Sequence, residues 1–146
     1  MISLDDLLAA RERVKDVIRP TPVDRSESLS RLAARPVLLK PEYHQRTGSF
    51  KIRGAYNRIS RLPPGVPVVA ASAGNHAQGV ALAAALTKRQ ATIFMPRNAA
   101  LPKVAATRDY GAIVRLEGEV VDDCIALAQT YAVETGAVYV PPFDDV

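Results

Sequence analysis

The chain has 146 residues, 48% of them hydrophobic, enough for one domain with a real core. Its net charge of +4 comes from Lys and Arg scattered among acids, and 5% aromatic residues with no Trp give no stacking stripe, so nucleic-acid binding is not expected. The lone Cys124 excludes an internal disulfide, no apolar run spans a bilayer, and the charged segment Met1 to Ile18 lacks a signal core, so a cytoplasmic setting without membrane partners is expected.

Ser3 with Asp5 and Asp6 reads as a capped helix start, and Leu4, Leu7, Leu8, Arg11, Val14, Val17 and Ile18 continue a helical stripe that Pro20 and Pro22 end. A short helix is predicted over 28–34 and a buried strand over 37–40. The pattern then alternates: helix 49–62, strand 66–72, helix 74–89, strand 91–95, helix 103–110, strand 112–116, helix 122–134 and strand 137–140. Such alternation with short connections predicts an α/β fold, an open and mostly parallel twisted sheet with helices on both faces. Ligands of such sheets bind beyond the carboxyl ends of strands, where the loop from Ser72 to His76 falls.

Lys51 opens a helix instead of decorating its exposed face. Helix N-termini disfavour cations, so the placement favours the neutral, nucleophilic amine that carbonyl chemistry requires. The segment Ala71 to Gly79 joins a strand to a helix with small residues, so a ligand can approach the backbone, and the open amides that follow suit a carboxylate or phosphate. Ser72, Asn75 and His76 add directed hydrogen bonds, although an ordinary helix cap uses the same residue types. No dinucleotide, P-loop or nucleophile-elbow motif occurs. With only His44, His76 and Cys124 no zinc site is expected, and Asp144 with Asp145 reads as a solvated terminal pair, so no metal is expected.

The run Ser49-Phe50-Lys51-Ile52-Arg53-Gly54-Ala55, followed by Ser72-Ala73-Gly74-Asn75-His76-Ala77-Gln78-Gly79, resembles the threonine dehydratases, pyridoxal-phosphate enzymes of the tryptophan-synthase-β fold type. Arg19 to Val23, Leu38 to Lys40 with Glu42, Met95-Pro96, Lys103, Ala106 to Arg108, Tyr110 to Ala112 and Pro142 to Asp145 extend the likeness. The resemblance implies that Lys51 holds pyridoxal 5'-phosphate through its amine and then serves as the acid/base group. It implies that Phe50 packs on the cofactor ring, that Asn75 bonds the ring's phenolic oxygen, and that Ser72, Ala73, Gly74, Asn75 and His76 surround the substrate carboxylate. The implied reaction is α,β-elimination from L-threonine, with L-serine as a further substrate, giving 2-oxobutanoate and ammonia from threonine.

A serine racemase is the nearest alternative, but the position of its second acid/base serine is Ala73 here, whose methyl cannot transfer a proton. A non-catalytic ligand-binding or assembly domain is the other. Glu42-Tyr43-His44-Gln45 departs from the family's Glu-Asn-Leu-Gln, and Leu101 replaces a proline common before Lys103. Family members are roughly twice this long on the usual domain scale. Residues 1–40 are expected to belong to the larger cofactor domain and 41–146 to form the small substrate-side domain, the rest being absent. The glycine-rich phosphate loop and the group facing the pyridine nitrogen do not occur before Val146, and the chain ends in mid-pattern, as a truncated gene would. A homo-oligomer that covers exposed apolar surface is expected.

Overall fold

Helix α1 (Leu4–Val14) starts on a reciprocal cap: Ser3 Oγ accepts from the Asp6 amide at 3.1 Å, and Asp6 Oδ2 accepts from the Ser3 amide at 2.8 Å. The computed structural model describes residues 2–143, so Asp144 and Asp145 lie outside the described residues. Strand β1 (Asp24–Arg25), helix α2 (Glu27–Ala33) and strand β2 (Leu38–Leu39) follow, and β1 pairs antiparallel with β2. The expected buried strand at 37–40 is thus a two-residue exposed ribbon, with Leu38 at 62% and Leu39 at 45% exposure. Its apolar pair fits the sequence signal of a core strand, but no described element covers it.

The main sheet is as expected. Helix α3 (Lys51–Ile59) leads into β3 (Val68–Ala71), α4 (Asn75–Leu86), β4 (Ala91–Met95), α5 (Leu101–Asp109), β5 (Ile113–Leu116), α6 (Val121–Thr135) and β6 (Val138–Tyr139). The strands lie parallel in the order β5-β4-β3-β6. Side chains alternate across a strand. Val68, Ala70, Ile93 and Met95 therefore pack with Ile52 and Ile59 of α3, Val80 of α4 and Val104 of α5. Val69, Ala71 and Phe94 pack with Cys124 and Ala128 of α6 on the other face. Helix α3 begins at Lys51, later than the predicted residue 49, because Ser49 is fully extended (φ −163°, ψ 165°). No helix among the described residues is long and apolar enough to cross a membrane.

Two side chains lash the N-terminal segment to the approach to Lys51. Gln45, 3% exposed, accepts the Arg19 amide and donates to the Arg19 carbonyl, both at 2.8 Å. Glu42 takes a two-pronged bond from Arg53 at 2.8 Å on each prong, plus the Thr21 hydroxyl at 2.6 Å. Arg53's hydrogen bonds pull the Glu42 carboxyl from an ordinary 4.5 to about 2, against burial, with Thr21 and the charge of Lys40 helping. The two departures from the family pattern in this segment, Tyr43 and His44, are exposed.

Because Glu42 is more acidic folded than unfolded, its contribution is complete above pH 4.5 and is lost as pH falls toward about 2. Its size is on the order of 2–3 kcal/mol. Urea unfolding at neutral and acid pH measures it. Glu42→Gln should lower stability by about 1–3 kcal/mol at neutral pH and flatten the acid limb; an acid limb as steep as that of the unsubstituted chain would contradict this.

Candidate active site

The chain enters α3 through Thr47 and Gly48, both at positive φ (63° and 66°), then the extended Ser49 and Phe50, which offers no capping side chain. This turn delivers Lys51 as the first helical residue with no acid in the first turn. Its Nζ donates to the Pro142 carbonyl at 2.6 Å and stands 5.5 Å from the centre of the Phe50 ring, which is 57% exposed. Beside it opens a cavity of about 270 Å³, lined by Phe50, Lys51, Arg58, His76, Val140 and Pro142 among others.

The loop after β3 continues the ladder through Ser72, whose amide donates to the Phe94 carbonyl at 3.1 Å. Ser72 Oγ accepts from the Gly74 amide at 3.1 Å, and Gly74 caps α4 without a side chain. The amides of Asn75, His76 and Ala77 begin the helix and have no intrahelical acceptor. The His76 ring turns away from this loop: it is 6% exposed, and Nε2 lies 2.9 Å from the Val140 carbonyl. A carbonyl only accepts, so Nε2 carries the proton. Burial lowers the His76 pKa, the Val140 bond opposes, and the positive charge of Lys51 lowers it further, so the ring is held neutral.

The structure therefore gathers Lys51, Phe50 and His76 on one cavity, while Ser72, Ala73, Gly74 and Asn75 stand on the adjoining loop off its wall. Sequence reasoning missed the strap 140–142, whose carbonyls hold both Lys51 and His76. It also missed Gly79, although a glycine inside an Ala-rich helix is a signal of close packing. A Cβ there would lie 3.1 Å from the Lys51 carbonyl carbon and 3.2 Å from the Ile52 nitrogen. A second, wider cavity of about 790 Å³ lies against Arg46, Thr47, Gln78 and Tyr110, where Gln78 Nε2 and Thr47 Oγ1 are buried without a partner.

The family described as "Pyridoxal-phosphate dependent enzyme" matches residues 14–146. The chain belongs to this family. It is 49% identical over 148 residues to the L-threonine ammonia-lyase of Thermotoga maritima, covering 99% of this chain and 37% of the relative. It is 42% identical over 147 residues to the catabolic L-threonine dehydratase TdcB of Escherichia coli, covering 99% and 45%. Among solved structures, a threonine deaminase from T.th. superposes with a TM-score of 0.87 at 40% identity (99% and 46% covered), and maize serine racemase with 0.89 at 34% (98% and 44%). The chain spans less than half the length of these relatives.

The residues fit the family's cofactor. A primary amine opens on the cavity, an exposed aromatic ring lies beside it, and open amides begin the next helix, α4. Lys51 would hold the group, and Phe50 would cover its ring.

Gly79 tests how tightly this pyridoxal-phosphate family member holds its lysine. An exposed helical Gly→Ala change gains about 1 kcal/mol from propensity. Here the added methyl presses on main chain, so Gly79→Ala should lose about 1–3 kcal/mol in urea unfolding; a gain would show that the backbone at Lys51 gives way. His76 makes a separate claim. Its pKa is lower folded than unfolded, so stability present above about pH 6.5 declines as pH falls below it. His76→Gln, which keeps a donor for Val140, should show a smaller decline between about pH 7.5 and 5.5. Parallel declines would remove His76 as the source.

Proposed function

We propose that this chain supplies the catalytic lysine and the substrate-carboxylate loop of a pyridoxal-phosphate-dependent threonine ammonia-lyase. The observation that carries the reading is the Lys51 amine at a helix start, opening on a cavity beside an exposed aromatic ring. Threonine ammonia-lyases among the relatives, at 42–49% identity, support the substrate class. When bound, pyridoxal phosphate supplies the electron sink for the carbanion formed at the substrate's α-carbon.

Lys51 would leave the Pro142 carbonyl to hold the cofactor. Once free, its neutral amine takes the α-proton of the substrate. The open amides of Asn75, His76 and Ala77 bind the carboxylate, and the Ser72 hydroxyl, already accepting from Gly74, donates its own proton to that carboxylate. The β-hydroxyl leaves as water with the proton that Lys51 has taken up, which returns the amine to its starting state, and the released enamine takes up a second water to give 2-oxobutanoate and ammonia. Racemisation needs a second proton carrier on the opposite face. Ala73 has none, and the neighbouring Ser72 hydroxyl is committed to the Gly74 amide and, in this reading, to the substrate carboxylate. Elimination is therefore the favoured outcome, although serine and aspartate racemases are among the structural neighbours.

In this reading residues 1–40 belong to a larger cofactor domain and 41–146 to the substrate-side domain, with the phosphate cradle in a remaining half. The exposure of Leu29, Leu32, Leu38 and Leu39 supports that division. The exposed Leu4, Leu7 and Leu8 of α1 support a homo-oligomer, and the buried free thiol of Cys124 suits a cytoplasmic setting. Small-molecule amino acids are the partners; nucleic acid and membrane are not.

Borohydride reduction of the full-length protein with pyridoxal phosphate, followed by peptide mapping, should place the label on Lys51. Lys51→Ala should lower 2-oxobutanoate formation from L-threonine by ~10³-fold or more. Label on another lysine, or substantial surviving turnover, would overturn the reading.

A further inference from the structure

Lys103 stands in the first turn of α5, where helix dipoles disfavour a cation and no acid offsets it. Its backbone is fixed on both sides. The Lys103 amide donates to the Ala100 carbonyl at 2.9 Å, and its carbonyl accepts from the hydroxyl of the fully buried Thr107 at 2.8 Å. From this base the side chain crosses to the first residue of α4 and donates from Nζ to Asn75 Oδ1 at 3.1 Å.

The chemistry of that bond has a direction. An ammonium has only donors, so it can meet only the carbonyl end of the Asn75 amide. The amide flip is thereby set, and Nδ2 points away from Lys103 with two protons to give. Among the described residues no protein group accepts them. An amide held this way is a donor site, suited to an oxygen that is anionic or lacks a proton, and unsuited to a hydroxyl that must donate.

We propose that Lys103 is a positioning residue: it fixes the flip of Asn75 so that Nδ2 donates to an acceptor oxygen of the bound ligand. The inference rests on the cofactor reading above, in which that oxygen is the ring oxygen of pyridoxal phosphate in its deprotonated form. Without Lys103 the amide turns freely and can present Oδ1, which repels such an oxygen. Lys103 itself does not touch the ligand.

Titration of the full-length protein with pyridoxal phosphate, followed by visible absorption, tests this in a double-mutant cycle. Lys103→Met should weaken binding by about 3- to 10-fold and reduce the long-wavelength band that reports the deprotonated ring oxygen. Lys103→Arg, which keeps a donor-only cation, should restore both. In an Asn75→Ala background Lys103→Met should have no further effect. Equal weakening with and without Asn75 would show that Lys103 acts on the ligand's charge directly, and unchanged binding and spectrum in Lys103→Met would show that the flip does not matter; either overturns the proposal alone. Absence of any visible complex in the unsubstituted protein would overturn the cofactor reading and this proposal together.

Discussion

The close approach of α4 to the start of α3 is the constraint on which the site depends. Two helices pack this tightly only where one has no side chain, and Gly79 meets the main chain at Lys51 and Ile52. That contact lies one turn from Asn75, so the backbone at Lys51 and the open amides of α4 are set relative to each other by packing. The surrounding residues reinforce it: Ile52, Ala77 and Val80 are all fully buried in the same cluster. A core packed at crystal-like density transmits such a placement with little slack.

A second set of bonds closes the site from the sheet. Strand β6 runs parallel to β3 at the sheet edge, so the chain leaving β6 passes the same end of the sheet as the loop leaving β3. Residues 140–142 meet His76 and Lys51 there through the carbonyls of Val140 and Pro142. A neutral imidazole is the right partner for a buried carbonyl beside a lysine, because a protonated ring would add a second positive charge without a counter-ion. His76 is thus part of the scaffold that holds the loop, its ring committed to the Val140 carbonyl and its backbone amide left open at the start of α4.

The grouping of Lys51, Phe50 and His76 on one cavity was legible in the sequence because each belongs to a short run whose neighbours define its context, whereas Ser72 to Asn75, read from the same run, stand off that cavity's wall. The parallel sheet was legible too, since β3 is a continuous apolar run and β4 one broken only by Thr92, both buried at every position. Leu38 and Leu39 misled for the complementary reason: an apolar pair marks a surface to be covered without saying by what. The contacts of Lys103 with Asn75, Pro142 with Lys51 and Glu42 with Arg53 join residues 28, 91 and 11 positions apart. Only the last lies within one local unit. The other two arise from how α5 and β6 return to the site, which periodicity does not encode. The family-pattern departures at Tyr43, His44 and Leu101 all fall on exposed side chains, while Glu42 and Gln45 on either side of the first two make the bonds.

Helix α3 divides stability from chemistry along its length. Ile52, Ala55 and Ile59 form the buried face and hold the helix on the sheet. Lys51, Gly54 and Arg58 line the cavity on another, where an added Cβ at Gly54 would meet nothing. The buried face is satisfied by this chain alone. The cavity face leaves a 57%-exposed phenyl ring in water beside an amine whose acceptor is a main-chain carbonyl. Both are energetically improvable states: the ring gains by burial, and the amine exchanges one modest hydrogen bond for whatever a ligand offers. A helix so anchored can change partners on one face without loosening the other, because the residues that hold it on the sheet are not those that line the cavity.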